Sequence, residues 1–347
     1  MVRDREGFAY PEIDGALCRR CGKCAAVCPG LRSRKGTSLP AAFAAWNRNE
    51  AVRRASTSGG VFTALSEWIL ESGGVVYGAA LDSRQHLRHA ACFTKEDLAS
   101  LRGAKYVESD LGNTFREIRE ALKKRPVLFS GTPCQVDGLY CYLGERPENL
   151  TTCDLVCRGV PSPGVWEAMV RSQEKRKGKG LLGVGFSQKV TGCTDRHLTA
   201  RYQDGTLVSS PLAATGYGRA YLRGLFLRPC CHQCAYTNLN RPGDFTLGDF
   251  LGLRPGELPE QQLLGVSLLL VNTAHGSYLF DQLSLGRQAF PIERAVAGNP
   301  RLAYPAEAAP ERAEFFNAYA TEPFEKVRRR YCKAPSLAER LLRKNPR

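Results

Sequence analysis

Four cysteines near the N-terminus have the spacing of an iron-sulfur site. They read Cys18-x-x-Cys21-x-x-Cys24-x-x-x-Cys28 and are followed directly by Pro29. This is the bacterial ferredoxin run, in which short loops let thiolates surround one four-iron four-sulfur cluster. A zinc knuckle is the alternative, but it normally uses two separated cysteine pairs or histidines. The spacing therefore predicts that these four cysteines bind a 4Fe-4S cluster.

Only one copy of the ferredoxin run is present. In two-cluster ferredoxins the run occurs twice, and the fourth cysteine of each copy ligates the cluster of the other copy. The residues ahead of Cys18, from Phe8 to Asp14, look like the linker that joins two copies. Cys28 therefore either closes onto the cluster held by the other three cysteines or leaves that cluster with a ligand from elsewhere.

A second set of cysteines is widely separated in the chain. Cys231-x-x-Cys234 lies in a proline-opened turn, and a gap of two residues lets both thiolates reach one metal centre. Cys134 and Cys157 each follow a short apolar run that predicts a buried strand. Because cysteines just past strand ends fall at one edge of an α/β sheet, we expect these four thiols to meet there.

The remaining cysteines have no partner at ligand spacing. We expect Cys92, Cys141 and Cys193 to pack as small apolar side chains, which is common for free cysteine. Cys230 is adjacent to Cys231, and we expect its side chain to point away from that residue.

Composition limits the class of protein. The chain has 347 residues, long enough for two or three domains, and contains 14 cysteines. Its charged start is not followed by an apolar segment, which favours reduced, metal-binding thiols in the cytoplasm over disulfides in a secreted protein. The longest strongly apolar run, Leu263 to Val271, is too short to span a bilayer and predicts a buried strand. The net charge of +15 suits an anionic partner, although a solvated basic surface is the alternative.

A helix start rich in glycine and hydroxyl groups is a possible binding site. Apolar residues at helical spacing predict that a helix begins near Gly60, with Ser58 as its N-cap. Free backbone N–H groups there favour a phosphate or a flavin edge, and an ordinary capped helix is the alternative. Further along, residues 102–107 predict a strand on which Lys105 is a plausible cation for the same ligand.

The order of elements predicts the fold class and the domains. Helices and strands alternate up to residue 129, two or three antiparallel strands surround Asp204-Gly205, and two arginine-rich helices follow Pro310. Residues 30–50 have the composition of a linker. We predict an α/β (α+β) protein with a mixed sheet flanked by helices. Its four parts would be a ferredoxin-like segment (1–35), an N-terminal part with the glycine-rich helix start (36–125), a C-terminal domain with the second set of cysteines (126–300) and a basic helical tail (301–347).

Taken together, these features resemble the coenzyme F-420 hydrogenase/dehydrogenase beta-subunit family of iron-sulfur flavoproteins. The resemblance covers about residues 8–290 and lies in short blocks: Ser56 to Phe62, Leu101 to Tyr106, Phe129 to Gln135, Cys157 to Pro163, Cys231-x-x-Cys234, Asp244 to Phe250 and Gly265 to Thr273. One departure is Arg158, which stands where such proteins often have histidine after the cysteine.

Membership of that family would imply cofactors and their binding residues. It implies FAD held by the helix start and by the Lys-Tyr segment, and an internal 4Fe-4S cluster beside it, so one or two clusters in all. The implied FAD residues are Ser58, Gly59, Gly60, Lys105, Tyr106 and Thr132, and the implied cluster ligands are Cys134, Cys157, Cys231 and Cys234.

The resemblance also implies a function. The chain would pass electrons from a hydride carrier, deazaflavin-like or nicotinamide, through FAD and 4Fe-4S clusters to a ferredoxin-type or other protein partner. A non-catalytic electron-transfer subunit of a larger complex is one alternative. A zinc-bearing, nucleic-acid-binding protein is another, but the aromatic residues are not interleaved with the basic ones. We therefore expect neither a nucleic-acid partner nor a membrane span.

Overall fold

The protein is built around an eight-stranded mixed sheet. The structure is a computed structural model that describes residues 1–31, 39–190, 192 and 195–333. Its strands are β1 (Val2–Arg3), β2 (Ala9–Tyr10), β3 (Ala41–Asn47), β4 (Val75–Leu81), β5 (Leu87–Cys92), β6 (Val127–Gly131), β7 (Leu150–Leu155), β8 (Leu181–Lys189), β9 (Arg196–Tyr202), β10 (Leu207–Pro211), β11 (Phe245–Asp249), β12 (Ser267–Val271) and β13 (Leu285–Phe290).

Helices flank the sheet and form the C-terminal end of the described chain. They are α1 (Lys23–Ala26), α2 (Glu50–Ala55), α3 (Val61–Glu71), α4 (Leu98–Leu101), α5 (Thr114–Leu122), α6 (Pro133–Leu143), α7 (Pro163–Lys177), α8 (Gly216–Leu222), α9 (Pro259–Leu264), α10 (Ala274–Gln282), α11 (Ile292–Gly298), α12 (Arg312–Thr321) and α13 (Phe324–Tyr331). None of them is long and apolar enough to cross a membrane.

The large sheet combines parallel and antiparallel pairs. Its strand order is β13-β3-β12-β11-β7-β6-β4-β5. The pairs β4–β6, β6–β7 and β7–β11 are parallel, and the outer pairs are antiparallel. The carboxyl ends of β4, β6, β7 and β11 therefore lie at the same edge. The predicted α/β class with a mixed sheet flanked by helices is confirmed.

Strand residues alternate between two apolar layers. On β4 and β6, Val76 and Leu128 face a cluster that includes residues of α3, α4 and α10. Their neighbours Tyr77 and Phe129 face the opposite cluster, which contains residues of α5 and α6. Because side chains in a strand alternate with a period of two, a strand covered on both faces reads as a continuous apolar run. The central strands were predictable for that reason.

A smaller sheet carries the second core. Strands β8, β9 and β10 pair in antiparallel order, as predicted around Asp204-Gly205. They pack with α7, α8, α12 and α13 around aromatic residues such as Trp166, Phe186 and Phe315. Phe8, from the short β1–β2 hairpin, is fully buried in the same core. The N-terminal residues are thus part of the folded body rather than a tail.

The linker prediction for residues 30–50 is wrong over part of its length. Ala41–Asn47 forms β3, a strand inside the large sheet between β12 and β13. Its small alanines allow close packing on both sides. Because alanine is only weakly apolar, the sequence shows no clear strand pattern here. Residues 32–38 of that segment lie outside the described residues. Because β3 pairs with β12, the sheet takes strands from both sides of residue 126, and the domain boundaries stay a prediction.

The strand predicted at residues 102–107 is also wrong. The chain there is an irregular segment that crosses the carboxyl edge of the sheet. Its backbone groups bond to loops instead of a neighbouring strand: Ala104 N donates to Thr57 Oγ1 (2.8 Å) and Glu108 N donates to Pro161 O (2.9 Å). Tertiary contacts therefore outweigh the local strand preference of Tyr106 and Val107.

The predicted helix start near Gly60 is correct, but its cap is not Ser58. Gly60 is the N-cap of α3, with a left-handed φ of 81° that glycine adopts without strain. The Ser58 hydroxyl instead donates to Val266 O at 2.8 Å, which attaches this loop to the residue before β12. The first N–H groups of α3 are consequently left without a side-chain cap.

Other sequence predictions can be placed in the structure. Cys92 and Cys141 are buried, as expected for packing residues, and Cys193 lies outside the described residues. The two helices expected after Pro310 are α12 and α13, and residues 334–347 are not among those described. The predicted strand in the run from Leu263 is β12, which is buried throughout, whereas Leu263 itself is exposed.

A buried ion pair fixes the end of β7. Asp154 and Arg241 are almost completely buried, and Arg241 Nη2 lies 2.6 Å from Asp154 Oδ1. Arg241 also donates to Leu155 O and, on its own loop, to Tyr236 O, while Asp154 Oδ2 accepts the N–H of Gly243. The pair therefore joins the end of β7 to the chain that leads into β11.

We predict that Asp154→Asn destabilises the fold by about 3–5 kcal/mol, because it leaves the buried Arg241 charge without its counterion. Chemical unfolding measures the loss. Asp204→Asn is the control, since it also removes a carboxylate from an ion pair, but at an exposed turn. Equal stability of the two variants would contradict the role given to the buried pair.

Candidate functional site

A cavity of about 310 Å³ lies at the carboxyl edge of the large sheet. Its walls include the start of α3, residues 101–109, the last residues of β6, β7 and β11, and the residues that follow β6 and β7. Ligand sites in α/β sheets form at this edge, and the volume is within the range of small-molecule sites.

Five of the six predicted cofactor residues line this cavity. They are Ser58, Gly60, Lys105, Tyr106 and Thr132. The sixth, Gly59, faces the sheet instead: a Cβ there would lie 2.4 Å from Ala45 O and 2.6 Å from Ser267 N. Gly59 N donates to Ser267 Oγ at 2.9 Å. Gly59 thus lets the loop lie against β3 and β12 and does not contact the cavity.

The N-terminus of α3 opens into the cavity. Val61 and Phe62 belong to its lining, and the helix has no side-chain cap. Unpaired N–H groups and the helix dipole at such an end favour an anionic group, as in dinucleotide sites. This feature fits the phosphates or the polar ring edge of a flavin dinucleotide.

Lys105 places a half-buried amino group in the wall. Its Nζ donates to three backbone carbonyls, those of Leu101, Arg102 and Gly103, at 3.0–3.1 Å. Burial lowers the pKa of Lys105 to about 7. Since its three donors are already bonded, the side chain acts on a ligand through its charge rather than through a direct hydrogen bond.

Aromatic and imidazole groups complete the wall, and sequence reasoning did not find all of them. Tyr106 stacks on Tyr221, with ring centroids 4.6 Å apart. His89, on β5, stacks on Phe129 and its Nε2 lies 3.0 Å from Ser130 O. Burial lowers the pKa of His89 to about 4, so the ring is neutral at pH 7. Neither His89 nor Tyr221 belongs to a recognisable sequence motif. They reach the cavity because of where β5 and α8 lie in the fold.

Cys134 lies at the N-terminus of α6, directly after β6. Thr132 is the N-cap and forms a capping box with Gln135, whose Oε1 accepts the Thr132 N–H at 2.9 Å. The Thr132 hydroxyl lies 3.1 Å from Cys134 Sγ. The cap thus fixes the Cys134 thiol at the N-terminus of α6.

Cys157 and Cys231 are brought together by a short antiparallel pairing of two loops. Ser162 N donates to Phe226 O and Arg228 N donates to Val160 O, both at 2.9 Å. Gly159 lies at the crossing with φ +118°, and a Cβ there would lie 2.9 Å from Leu227 Cδ1 and 3.1 Å from Cys231 Cβ. Only glycine leaves room for this approach.

Cys234 is tied to the helix that carries Cys134. Tyr236, two residues further on, donates its hydroxyl to Asp137 Oδ2 on α6 at 2.8 Å. Its carbonyl accepts Arg241 Nη1, which is also bound to Asp154. Hydrogen bonds therefore link the segments that carry the four predicted ligands. Cys157 also lines the cavity, so the two features adjoin.

The four thiols influence one another electrostatically. Burial, together with the neighbouring Cys134 and Cys234, raises the pKa of Cys157 to about 12. Cys134 is partly open to solvent by its position at a helix start, and desolvation by the surrounding protein raises the pKa of its thiol to about 11. Such thiols bind a metal only with loss of their protons, and the metal charge offsets the burial of thiolates. The donor set fits an iron-sulfur cluster.

The expectation that Cys230 points away from Cys231 is wrong. The two thiols are hydrogen-bonded to each other, which lowers the pKa of Cys230 and raises that of Cys231. Arg228 also lowers the pKa of Cys230. A fifth thiol therefore interacts with one of the predicted ligands.

The described residues contain no group of three or more His, Cys, Asp or Glu side chains spaced to hold a single metal ion.

The N-terminal cysteines are at the surface. Cys18, Cys21 and Cys24 are exposed and Cys28 is partly buried. Gly22 has the left-handed φ of 71° expected for the tight turn between them. The turn at Pro29–Leu31 packs on α6, the helix that begins at Cys134. Their role as ligands of a separate cluster stays a prediction.

Comparisons with known protein families match most of the chain. Two models of the coenzyme F420 hydrogenase/dehydrogenase beta-subunit family match: the one for its N-terminal part at residues 42–115, and the one for its C-terminal part at residues 124–289. The chain belongs to this family. The family resemblance noted in the sequence is thus confirmed, and the family is named for a subunit of oxidoreductases.

Comparison with solved structures gives a distant similarity. The chain is similar to one in the F420-reducing NiFe hydrogenase complex from Methanosarcina barkeri, with 19% identity, a TM-score of 0.48, and coverage of 85% of this chain and 91% of that one. A comparison with curated proteins finds no match. The ferredoxin run from Cys18 to Cys28 lies ahead of both ranges that match the beta-subunit family.

We predict that Gly159→Ala disrupts the thiol site, because the added Cβ meets Leu227 and Cys231 at a backbone angle that glycine alone tolerates. The expected destabilisation is about 1–3 kcal/mol, with loss of bound iron, measured by unfolding and by iron analysis. The control is Gly178→Ala, which also has a left-handed φ but has no atom within 4 Å of the added Cβ. Iron loss in both variants alike would contradict a specific packing role for Gly159.

Proposed function

We propose that this chain is an iron-sulfur flavoprotein oxidoreductase. It would pass electrons between a hydride carrier, deazaflavin-like or nicotinamide, and a protein partner, using FAD and one or two 4Fe-4S clusters. The observation that supports this most directly is the shared wall at Cys157. The cavity with the open helix start and Lys105 is bounded by one of the four predicted cluster ligands.

The cavity residues have separate roles in this proposal. The N–H groups at the start of α3 and the Lys105 charge would bind the anionic part of FAD, while Tyr106 and Tyr221 provide an aromatic wall. His89 stays neutral and therefore adds no charge to the cavity. FAD, when bound, supplies the exchange between two-electron and one-electron chemistry.

The thiol residues would hold the internal cluster. Cys134, Cys157, Cys231 and Cys234 are the proposed ligands, and Cys18, Cys21, Cys24 and Cys28 are the proposed ligands of the N-terminal cluster. Asp154 and Arg241 act only as positioning residues, because they bind the backbone on either side of the thiols. The zinc-bearing, nucleic-acid-binding alternative has no support from the family to which the chain belongs.

Anaerobic purification tests the proposal. We expect a brown-yellow protein with about one FAD and about four or eight irons with matching sulfide per chain. A colourless, zinc-loaded protein would overturn it. Reduction by a nicotinamide, a reduced deazaflavin and a reduced ferredoxin is then compared, and failure with all three would favour a non-catalytic subunit of a larger complex.

Cys157→Ser identifies the internal cluster in the same preparations. It should remove about four irons and leave the remainder. Cys157 is a sharper choice than Cys231, whose neighbour Cys230 could replace it as a ligand. Cys92→Ala is the control, since it removes a buried thiol outside the predicted set.

We also predict that FAD binding is coupled to protonation of Lys105. Its pKa of about 7 means that the side chain is charged below that pH and neutral above it, whereas a bound anion raises the pKa. FAD binding at pH 8 should therefore take up a fraction of a proton, and affinity should fall between pH 7 and 9. Calorimetry in buffers of different ionisation enthalpy measures the uptake.

Two variants control the protonation experiment. Lys105→Arg keeps its charge over this range and should bind FAD without proton uptake. Lys105→Met should bind FAD more weakly than the wild type at pH 7, and its FAD affinity should not change with pH up to pH 9. His89 does not titrate in this window, because its pKa is about 4. The same uptake in the wild type and in Lys105→Arg would assign the proton to another group.

A further inference from the structure

The segment that carries the N-terminal cysteines contacts the rest of the protein at both ends, but almost none of its own side chains are buried. Every residue from Pro11 to Val27 is exposed, and α1 has no buried residue. A short cysteine-rich segment gains little stability from such a surface. Its exposed side chains are therefore available for contact with another molecule.

Its first attachment is made by Arg228. The guanidinium stacks 4.1 Å from the Tyr10 ring centroid, and Nη2 donates to Ala9 O at 2.9 Å. Arg228 is itself held by Glu108, 2.5 Å away. The residues before Cys18 are thus fastened to the turn that presents Cys231, three positions after Arg228.

Its second attachment is at the other end of the cysteine run. Pro29 lies against α6, with its Cγ within 4.0 Å of the position that a Cβ on Gly138 would occupy. Gly138 is four residues after Cys134 on the same helix. Both ends of the exposed segment therefore rest on elements that carry internal thiols.

The exposed segment carries both apolar and basic side chains. The apolar group, which is 44–79% exposed, consists of Ile13, Leu17, Val27 and Leu31. Three cations, the basic trio, stand between the cysteines: Arg19, Arg20 and Lys23. Within the described residues none of the trio has a carboxylate in an ion pair, although most other arginines of the fold do contact a carboxylate or a carbonyl.

This composition is that of a protein interface. Four large apolar side chains exposed along one short segment, with cations between them, have the composition of a contact site, whose usual arrangement is an apolar centre with a polar rim. The only acidic residues within the exposed segment, Glu12 and Asp14, precede the first cysteine. A second copy of the chain is disfavoured as occupant, because a symmetric contact would place one basic trio against another.

We propose that residues 13–31 form a docking surface for an acidic electron-carrier protein. Its carboxylates pair with the basic trio, and its apolar surface covers the apolar group. This inference rests on the proposed function and narrows its partner to an acidic protein that binds at the ferredoxin-like segment. Electrostatic pairing of this type mainly raises the association rate and weakens as salt is added.

Binding to the intact, anaerobically prepared protein tests the surface. The probe is an acidic two-cluster bacterial ferredoxin, and a basic cytochrome c serves as the opposite charge. The test variant combines Arg19→Gln, Arg20→Gln and Lys23→Gln. The matched control combines Lys175→Gln, Arg176→Gln and Lys177→Gln, which removes the same three charges from the exposed end of α7.

We expect the test variant to bind the ferredoxin about tenfold more weakly, mostly through slower association, and the control to stay within about twofold of the wild type. Leu17→Ser should speed dissociation instead. Equal losses in both triple variants, no loss in either, or stronger binding of cytochrome c would overturn the docking surface. Concentration-dependent dimerisation that is abolished by Leu17→Ser would assign the face to a second copy and also overturn it.

FAD and iron are measured on every preparation, which separates the two proposals. Wild-type protein without FAD and iron would refute the proposed function itself. Full FAD and iron content with no effect of the basic trio would refute only the docking surface.

Discussion

The arrangement of the site depends on one buried ion pair, between Asp154 and Arg241. Asp154 is the penultimate residue of β7, three positions before Cys157, while Arg241 follows the loop that carries Cys231 and Cys234. Their contact at 2.6 Å, with both side chains almost fully buried, fixes that loop against the end of the strand. A pair this deeply buried is costly to leave unmatched, so the loop has few alternative positions.

A second buried carboxylate extends the same constraint across the sheet. Asp244 Oδ2 accepts hydrogen bonds from the backbone and the hydroxyl of Thr152, and its Oδ1 accepts that of Thr273. These contacts join β7 to the residue before β11 and to the segment that follows β12. The polar network therefore sets the register of the strand ends, and the apolar layers on both faces supply the burial that holds the sheet together.

The sequence allowed the central strands and the eight ligand candidates to be predicted, because both signals are local. The apolar runs before Cys134 and Cys157 indicate buried strands, and the parallel order of such strands brings their carboxyl ends to one edge. Features that depend on distant contacts could not be predicted. The strand β3 is built mostly from alanine, and its place between β12 and β13 is settled by pairing with residues more than two hundred positions away. The segment at Lys105 has strand-like composition, yet loops bind its backbone.

The same distinction separates what a motif can specify from what the fold must add. Cysteine spacing specifies which thiols are able to share a metal, but not which neighbours control them. Arg228 illustrates this: in the sequence it is one of many scattered arginines, yet in the structure it contacts Glu108, Ala9 O and the Tyr10 ring at once. Its guanidinium bridges the N-terminal hairpin and the turn of Cys231 because it is planar, with several donors at its edge and a face for stacking. A lysine has neither the fork nor the flat face. The contact between the N-terminal hairpin and the turn of Cys231 thus rests on a side-chain geometry that no local pattern reveals.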